Sequence, residues 1–158
     1  MAVSYMTKDG YDKILAEINY LETVKRPEIS AQIAEARDKG DLSENAEYDA
    51  AKEKQGFIEG RIAELESKLS YAHIVDPKEL DADGKIVFAA TVTLEDCDSE
   101  ENVTYQIVGD DEADIKVGLI SINSPIARGL IGKEVDDVAI IKTPAGDVEY
   151  EILEVKYL

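Results

Sequence analysis

Apolar positions along the chain follow two different periods, and the change falls near Asp76. Before it the period is helical. Ala51, Gln55, Ile58, Ile62, Leu65, Leu69 and Ala72 alternate steps of four and three, with charged residues between them, which is a heptad seam. An earlier run is looser: Tyr11, Ile14, Ile18, Leu21, Ile29, Ile33 and Ala36 fall near one face at about 3.6 residues per turn. Thr7 is the expected N-cap of that first run. Pro27 removes one backbone hydrogen bond and is expected to bend the helix without ending it, because the apolar stripe resumes beyond it. Two helices of about 30 residues, rising ~1.5 Å per residue, each run roughly 40–45 Å. Joined by the short KGDLSEN segment, Lys39 to Asn45, they are expected to lie antiparallel as an α-helical coiled-coil hairpin. Such a hairpin buries one seam and projects as a rod. Ala34, Ala36, Ala46, Ala50 and Ala51 predict a slim tip.

Beyond Asp76-Pro77, which is expected to end the helix and open a linker, the period is two. KIVFAATVTLE, ENVTYQIVG, LISIN, DVAIIKT and DVEYEILEVKYL read as β-strands, and TPAGD as a hairpin turn between the last two. SPIARGLIGK reads as a short helix with Ser124 at the N-cap, Pro125 at its first position, and Ile126, Leu130 and Ile131 facing inward. The expectation is a two-domain α + (α+β) chain. Residues 1–76 form the antiparallel coiled-coil hairpin, and residues 77–158 an antiparallel sheet with one short helix. The single histidine, His73, is placed in the last helical turn, in a structural or solvated role.

Charge narrows the functions available. With 44% hydrophobic and 33% charged residues the chain has the balance of a folded domain, not a disordered one. Its net charge of −18 argues against a broad basic surface for nucleic acid, so if the protein works near DNA or RNA a partner protein must bring it there. One cysteine, Cys97, cannot form an internal disulfide, which fits a reducing compartment. No apolar run reaches the ~18 residues of a membrane span, and MAVSYMTKDGYDK lacks the features of a secretory signal. The expected location is cytoplasmic, without membrane contact.

The acid is concentrated at the turn between the helices, in GDLSENAEYD, Gly40 to Asp49. Two readings stand. Asp41-Leu42-Ser43-Glu44 has capping-box spacing, and Ser43 could cap a helix starting a turn later. Acids in a first turn also suit the helix dipole. Alternatively, Asp41 and Glu44 are metal ligands. Mg²⁺ takes oxygen donors in near-octahedral geometry and often only one or two carboxylates, so two acids at a projecting end would make a half-site completed by another molecule. Glu47 and Asp49, one turn on, are expected to be solvated.

Several blocks resemble the bacterial transcript cleavage factor family: RPEI (26–29), IAEAR (33–37), GDLSENAEY (40–48), QGFIEGRI (55–62), YQIVGDDEAD (105–114), SPIARGLIGK (124–133) and KTPAGDVEYEI (142–152). The resemblance runs along essentially the whole chain. It implies an FKBP-like fold for residues 77–158, which would dock on bacterial RNA polymerase beside the secondary channel while the coiled coil passes down it. The implied activity is rescue of backtracked polymerase by stimulating its own Mg-dependent cleavage of the nascent RNA 3′ end. The family's functional acids fall on Asp41 and Glu44, which would help hold a second Mg²⁺ beside the polymerase aspartates and orient the water. By this reading the protein is not an enzyme by itself, but supplies carboxylates in trans, and it has no independent sequence-specific nucleic-acid binding.

Arg37 and Lys52, expected across the hairpin from each other, correspond to the family's small basic spot on extruded RNA, or else pair with ordinary acids. Asn45 and Tyr48 hold the turn or touch RNA. Leu42 is a plug across the hairpin or a contact with polymerase. Asn123, Ser124 and Pro125 resemble the family's docking region, although a plain helix start accounts for them equally well. The acidic loop GDDEAD, Gly109 to Asp114, is expected to be solvated or to meet a basic patch on polymerase. Prolyl isomerase activity, which an FKBP-like fold suggests, finds little support: there is no tryptophan, and Phe88 is the sheet domain's only phenylalanine. The competing function is a non-catalytic plug that occupies the channel and inhibits.

Overall fold

A computed structural model describes residues 4–40 and 45–158. They form two compact units, residues 11–72 and residues 4–10 together with 73–158. The expected division after Asp76 differs from this in two respects: residues 4–10 join the sheet unit, and the helical unit ends at residue 72.

The helical unit contains most of α1 (Lys8–Tyr20), a π-helical segment (Leu21–Lys25), α2 (Arg26–Asp38) and α3 (Ala46–Ser70). Thr7 Oγ1 accepts from the Gly10 N–H at 3.1 Å, so the expected N-cap is in place. Pro27 does not end the helix. The segment ahead of it widens to a π-turn, closed by the Arg26 N–H on the Leu21 carbonyl, and α2 then starts with proline in its first turn, where the missing N–H costs least. Ile29, Ile33 and Ala36 of α2 and Ala51, Ile62 and Leu65 of α3 are buried, while Gln55, Ile58 and Leu69 are half-buried. Ile29, Ile33 and Ala51 form one apolar cluster, with Tyr48 and Ile58 packed on it. Ion pairs flank the stripe: Arg26 to Glu59 at 2.8 Å and Arg61 to Glu17 at 3.0 Å.

His73 is not helical. The helix stops at Ser70, and β2 (Ala72–Val75) pairs with β1 (Ser4–Thr7) in a two-stranded sheet. The His73 ring stands edge-on to Tyr5 at 5.3 Å, and Tyr5 reaches Phe88 at 5.9 Å, so His73 has a packing role.

The main sheet comprises β3 (Thr91–Asp96), β4 (Asn102–Val108), β5 (Leu119–Ser121), β6 (Val138–Thr143) and β7 (Gly146–Lys156), in the order β5-β4-β3-β7-β6. It is antiparallel except for β4–β5, a parallel pair that the expected all-antiparallel sheet did not include. Val92, Leu94, Ile107, Ile120, Ala139, Ile141 and Ile152 form its buried face, covered by Ala127 and Leu130 of α4 (Pro125–Leu130). Ile131 was expected inward but is exposed, because α4 ends one residue earlier and the chain turns at Gly132 with φ +86°. The strand expected from Lys85 begins only at Thr91. Ala89 takes φ +76° and breaks the run, although Ile86, Ala89 and Ala90 are still fully buried. In β7 the inward positions change parity, from Val148, Tyr150 and Ile152 to Val155. A register shift opposite Thr93 and Leu94 leaves Leu153 as the extra residue of a β-bulge.

Leu94 is fully buried at the centre of this core. Leu94→Ala is expected to cost about 2–5 kcal/mol by combining lost burial with a cavity. Thermal unfolding followed by near-ultraviolet tyrosine signals should show the loss as a lowered transition.

Candidate functional site

Both flanks of the inter-helix turn are described; Asp41, Leu42, Ser43 and Glu44 lie outside the described residues. Gly40 takes φ +140°, which glycine tolerates without strain, just past the end of α2. On the other side Asn45, in extended conformation, is the N-cap of α3: its Oδ1 accepts from the Tyr48 N–H at 3.1 Å. Its Nδ2 donates to the Ala36 carbonyl at 2.6 Å. One side-chain amide therefore satisfies an orphan donor of α3 and a carbonyl in the last turn of α2, tying the helices together at their common end. The N-cap of α3 is Asn45, two residues past the expected Ser43, which lies outside the described residues. Tyr48 also works in the turn, half-buried on the Ile29–Ile33–Ala51 cluster. Of the two roles open for Asn45 and Tyr48, both have contacts that hold the turn.

Glu47 is not simply solvated. Lys39 Nζ donates to its Oε2 at 3.2 Å and lies 3.7 Å from Glu35, so Lys39 bridges α2 and α3 beside the turn. Its pKa is raised by the hydrogen bond to Glu47 first and then by the charges of Glu47 and Glu35. Sequence reasoning passed over Lys39 in favour of Arg37 and Lys52. Arg37, exposed in the last turn of α2, makes no ion pair among the described residues, and Lys52 donates only to Gln55, at 3.0 Å. Ordinary interhelical pairing thus falls to Lys39, leaving the Arg37 and Lys52 charges free of carboxylate partners among the described residues.

The other expected site is the start of α4. Ser124 Oγ accepts from the Ala127 N–H at 3.2 Å and donates to the Ser121 carbonyl at 2.7 Å, while Pro125 occupies the first helical position. Asn123 Nδ2 donates to Asp110 at 2.9 Å, and the Ser121 hydroxyl donates to the same carboxylate. Beside them lies a groove of about 440 Å³, whose aliphatic walls include Ile115, Leu119, Ile126, Ile141 and Pro144. No aromatic side chain lines it. The acidic loop is largely exposed, as expected, and its acids also make local bonds: Asp110 holds this corner, Asp114 caps the turn at Ile115–Val117 by accepting from the Lys116 N–H, and half-buried Glu112 bonds to Thr7. Exposed Cys97 has its pKa raised, by desolvation first and then by the charges of Glu149, Glu151, Asp96 and Asp98. It lacks the activated character of a nucleophile.

The family model described as "Transcription elongation factor, N-terminal" matches residues 4–74, and "Transcription elongation factor, GreA/GreB, C-term" matches residues 80–157. The chain belongs to the GreA/GreB transcription elongation factor family. It is 61% identical over 153 residues to transcription elongation factor GreA of Neisseria meningitidis, covering 97% of both chains. To the GreA of Ralstonia nicotianae it is 60% identical over 158 residues, the full length of both. Among solved structures it is similar to the GreA factor homolog 1 protein of Thermus thermophilus, at 28% identity and a TM-score of 0.43, covering 98% of this chain and 99% of that one. The boundary between the two family models falls within residues 75–79, in the stretch holding the Asp76-capped turn Pro77–Glu79. No described helix is long and apolar enough to cross a membrane.

Asn45→Ala removes both bonds at the turn and is expected to destabilise the start of α3 by about 0.5–2 kcal/mol. Asn45→Asp keeps the acceptor for Tyr48 but sets a carboxylate against the Ala36 carbonyl, so its loss should be intermediate or larger. Amide exchange at Tyr48 and Asp49 reads both effects. With its pKa raised, Cys97 carries less thiolate at neutral pH, so iodoacetamide should alkylate it more slowly than a free thiol, and added salt should quicken the reaction by screening the surrounding carboxylates.

Proposed function

We propose that this protein rescues backtracked bacterial RNA polymerase by stimulating the polymerase's own cleavage of the nascent RNA 3′ end, acting in the cytoplasm. The observation that supports this reading is full-length similarity to GreA proteins in a chain that keeps Asp41 and Glu44 in sequence between two helices tied together by Asn45.

In this mechanism the sheet unit docks through the corner at Asn123, Ser124 and Pro125, and the hairpin enters the secondary channel with its turn leading. Docking pays for the loss of motional freedom, and the turn is then delivered as an intramolecular group. Asn45 ties the last turn of α2 to the start of α3, and Lys39 pairs with Glu47 between the same helix ends. The carboxylates of Asp41 and Glu44 are hard oxygen donors that suit Mg²⁺ and are too few to fill its coordination, so they would hold the ion jointly with polymerase carboxylates. The ion, when bound, neutralises developing charge on the phosphate and lowers the pKa of its water. Arg37 and Lys52, free of carboxylate partners among the described residues, attract the phosphates of the extruded RNA. The polymerase performs the bond cleavage, and this chain supplies ligands and orientation in trans.

Purified polymerase halted in a backtracked state is the test. Wild-type protein should release short 3′ RNA fragments. Asp41→Asn and Glu44→Gln should each slow release by roughly tenfold or more while still competing with wild type for polymerase. Equal stimulation by both variants would exclude the tip carboxylates. Inhibition without fragment release by the wild type would identify a channel plug instead.

A further inference from the structure

The corner at the start of α4 is organised by one carboxylate from another loop. Asp110 divides its two oxygens between residues eleven and thirteen positions further on: Oδ1 accepts from the Ser121 hydroxyl, and Oδ2 accepts from Asn123 Nδ2 at 2.9 Å. The Ser121 oxygen in turn accepts from the Asn123 N–H at 3.0 Å. Asn123 is therefore held by its main chain and its side chain together, yet it stays exposed.

The polarity of these bonds decides which way the amide faces. An ionised carboxylate accepts and cannot donate, so the nitrogen end of the Asn123 amide must face Asp110. The oxygen end, Oδ1, is turned away from it and accepts no hydrogen bond among the described residues. An unrestrained asparagine on a surface offers a partner either end of its amide. This one offers an acceptor in a fixed orientation. Its neighbours do not blur that choice: Pro125 has no N–H, and the Ser124 hydroxyl is engaged with the Ser121 carbonyl and the Ala127 N–H.

We infer that Asp110 is a positioning residue for docking: it holds the Asn123 amide with Oδ1 outward, so the polymerase group that seats on Asn123 is a hydrogen-bond donor. Docking at Asn123, Ser124 and Pro125, as proposed above, is the premise. An amide set before the encounter has no side-chain freedom left to lose on binding. With the amide reversed, an N–H would meet a donor and both would be left unpaired.

Asp110→Asn tests this at nearly constant shape. The new amide can still accept from the Ser121 hydroxyl, and its nitrogen then faces Asn123, which must flip to receive it. Binding is read by displacement of labelled wild-type protein from backtracked polymerase, and the plateau cleavage rate is read separately. Asp110→Asn is expected to bind roughly tenfold more weakly, with its plateau rate kept. The Asn123 N–H, still bonded to Ser121, should exchange with solvent as slowly as in the wild type. Asn123→Asp alone sets one carboxylate against another and should weaken binding as well. Combining Asp110→Asn with Asn123→Asp exchanges the two groups and again turns an acceptor outward, so affinity should return to within about threefold of wild type. Wild-type affinity in Asp110→Asn, or a double variant that binds no better than either single one, overturns the inference. So does a loss of binding that comes with faster exchange of the Asn123 N–H, because that pattern marks a role in loop stability alone. If the wild-type protein does not bind polymerase, the docking reading itself fails and takes this assignment with it. If the wild type binds and Asp110→Asn binds equally well, only the assignment of Asp110 fails.

Discussion

Two helices that pack only on each other can bury one stripe apiece, and that limit governs the helical unit. Its stripe is narrow: the cluster of Ile29, Ile33 and Ala51 is small, and half-buried Tyr48 and Ile58 complete it. Exposed ion pairs on the flanks, such as Arg26 with Glu59, add direction and register more than stability. At the end of the hairpin the shortage is most acute, since helix termini expose unpaired backbone groups and little apolar surface remains to cover them. Asn45 answers both helices with one amide. Neutral hydrogen bonds of Asn45 and the Lys39–Glu47 pair hold the two helix ends there.

The sheet unit has the opposite character. Its core draws on every strand of the main sheet and on α4, and leaves the loops free to be specialised. The acids of the Gly109–Asp114 loop illustrate this. They are acceptors for backbone, hydroxyl and side-chain amide donors at three separate places, and those bonds organise the corner beside α4 and the start of α1.

Features set by local period or local caps were legible in the sequence. The stripe of α3, the Thr7 cap, the Ser124–Pro125 helix start and the two-residue turn between β6 and β7 all depend on residues within a few positions of one another. The choice of Asn45 over Ser43 was not legible, because both are good caps and the decision rests on where the Ala36 carbonyl lies. Glu112 was read as solvated because its partner Thr7 is 105 positions away. His73 was given to the helix because apolar spacing continued to Ala72, whereas pairing with the N-terminal strand ended it sooner. β1 and β2 are four residues each, too short for alternation to announce them. The metal role of Asp41 and Glu44 was read from residue type and family resemblance, and the contacts flanking them explain only how their turn is held.

The π-helical segment before Pro27 bears on how the two arms of the hairpin keep in step. Leu21 and Ile29 both face Ile58 across a shared groove, yet they are eight residues apart. Eight residues of regular α-helix overshoot two turns by about 80°, enough to carry one of them off the seam. The wider turn unwinds that excess before α2 begins. It works as a phase corrector, allowing a spare residue to be carried in one arm without rotating the far half of the stripe away from α3.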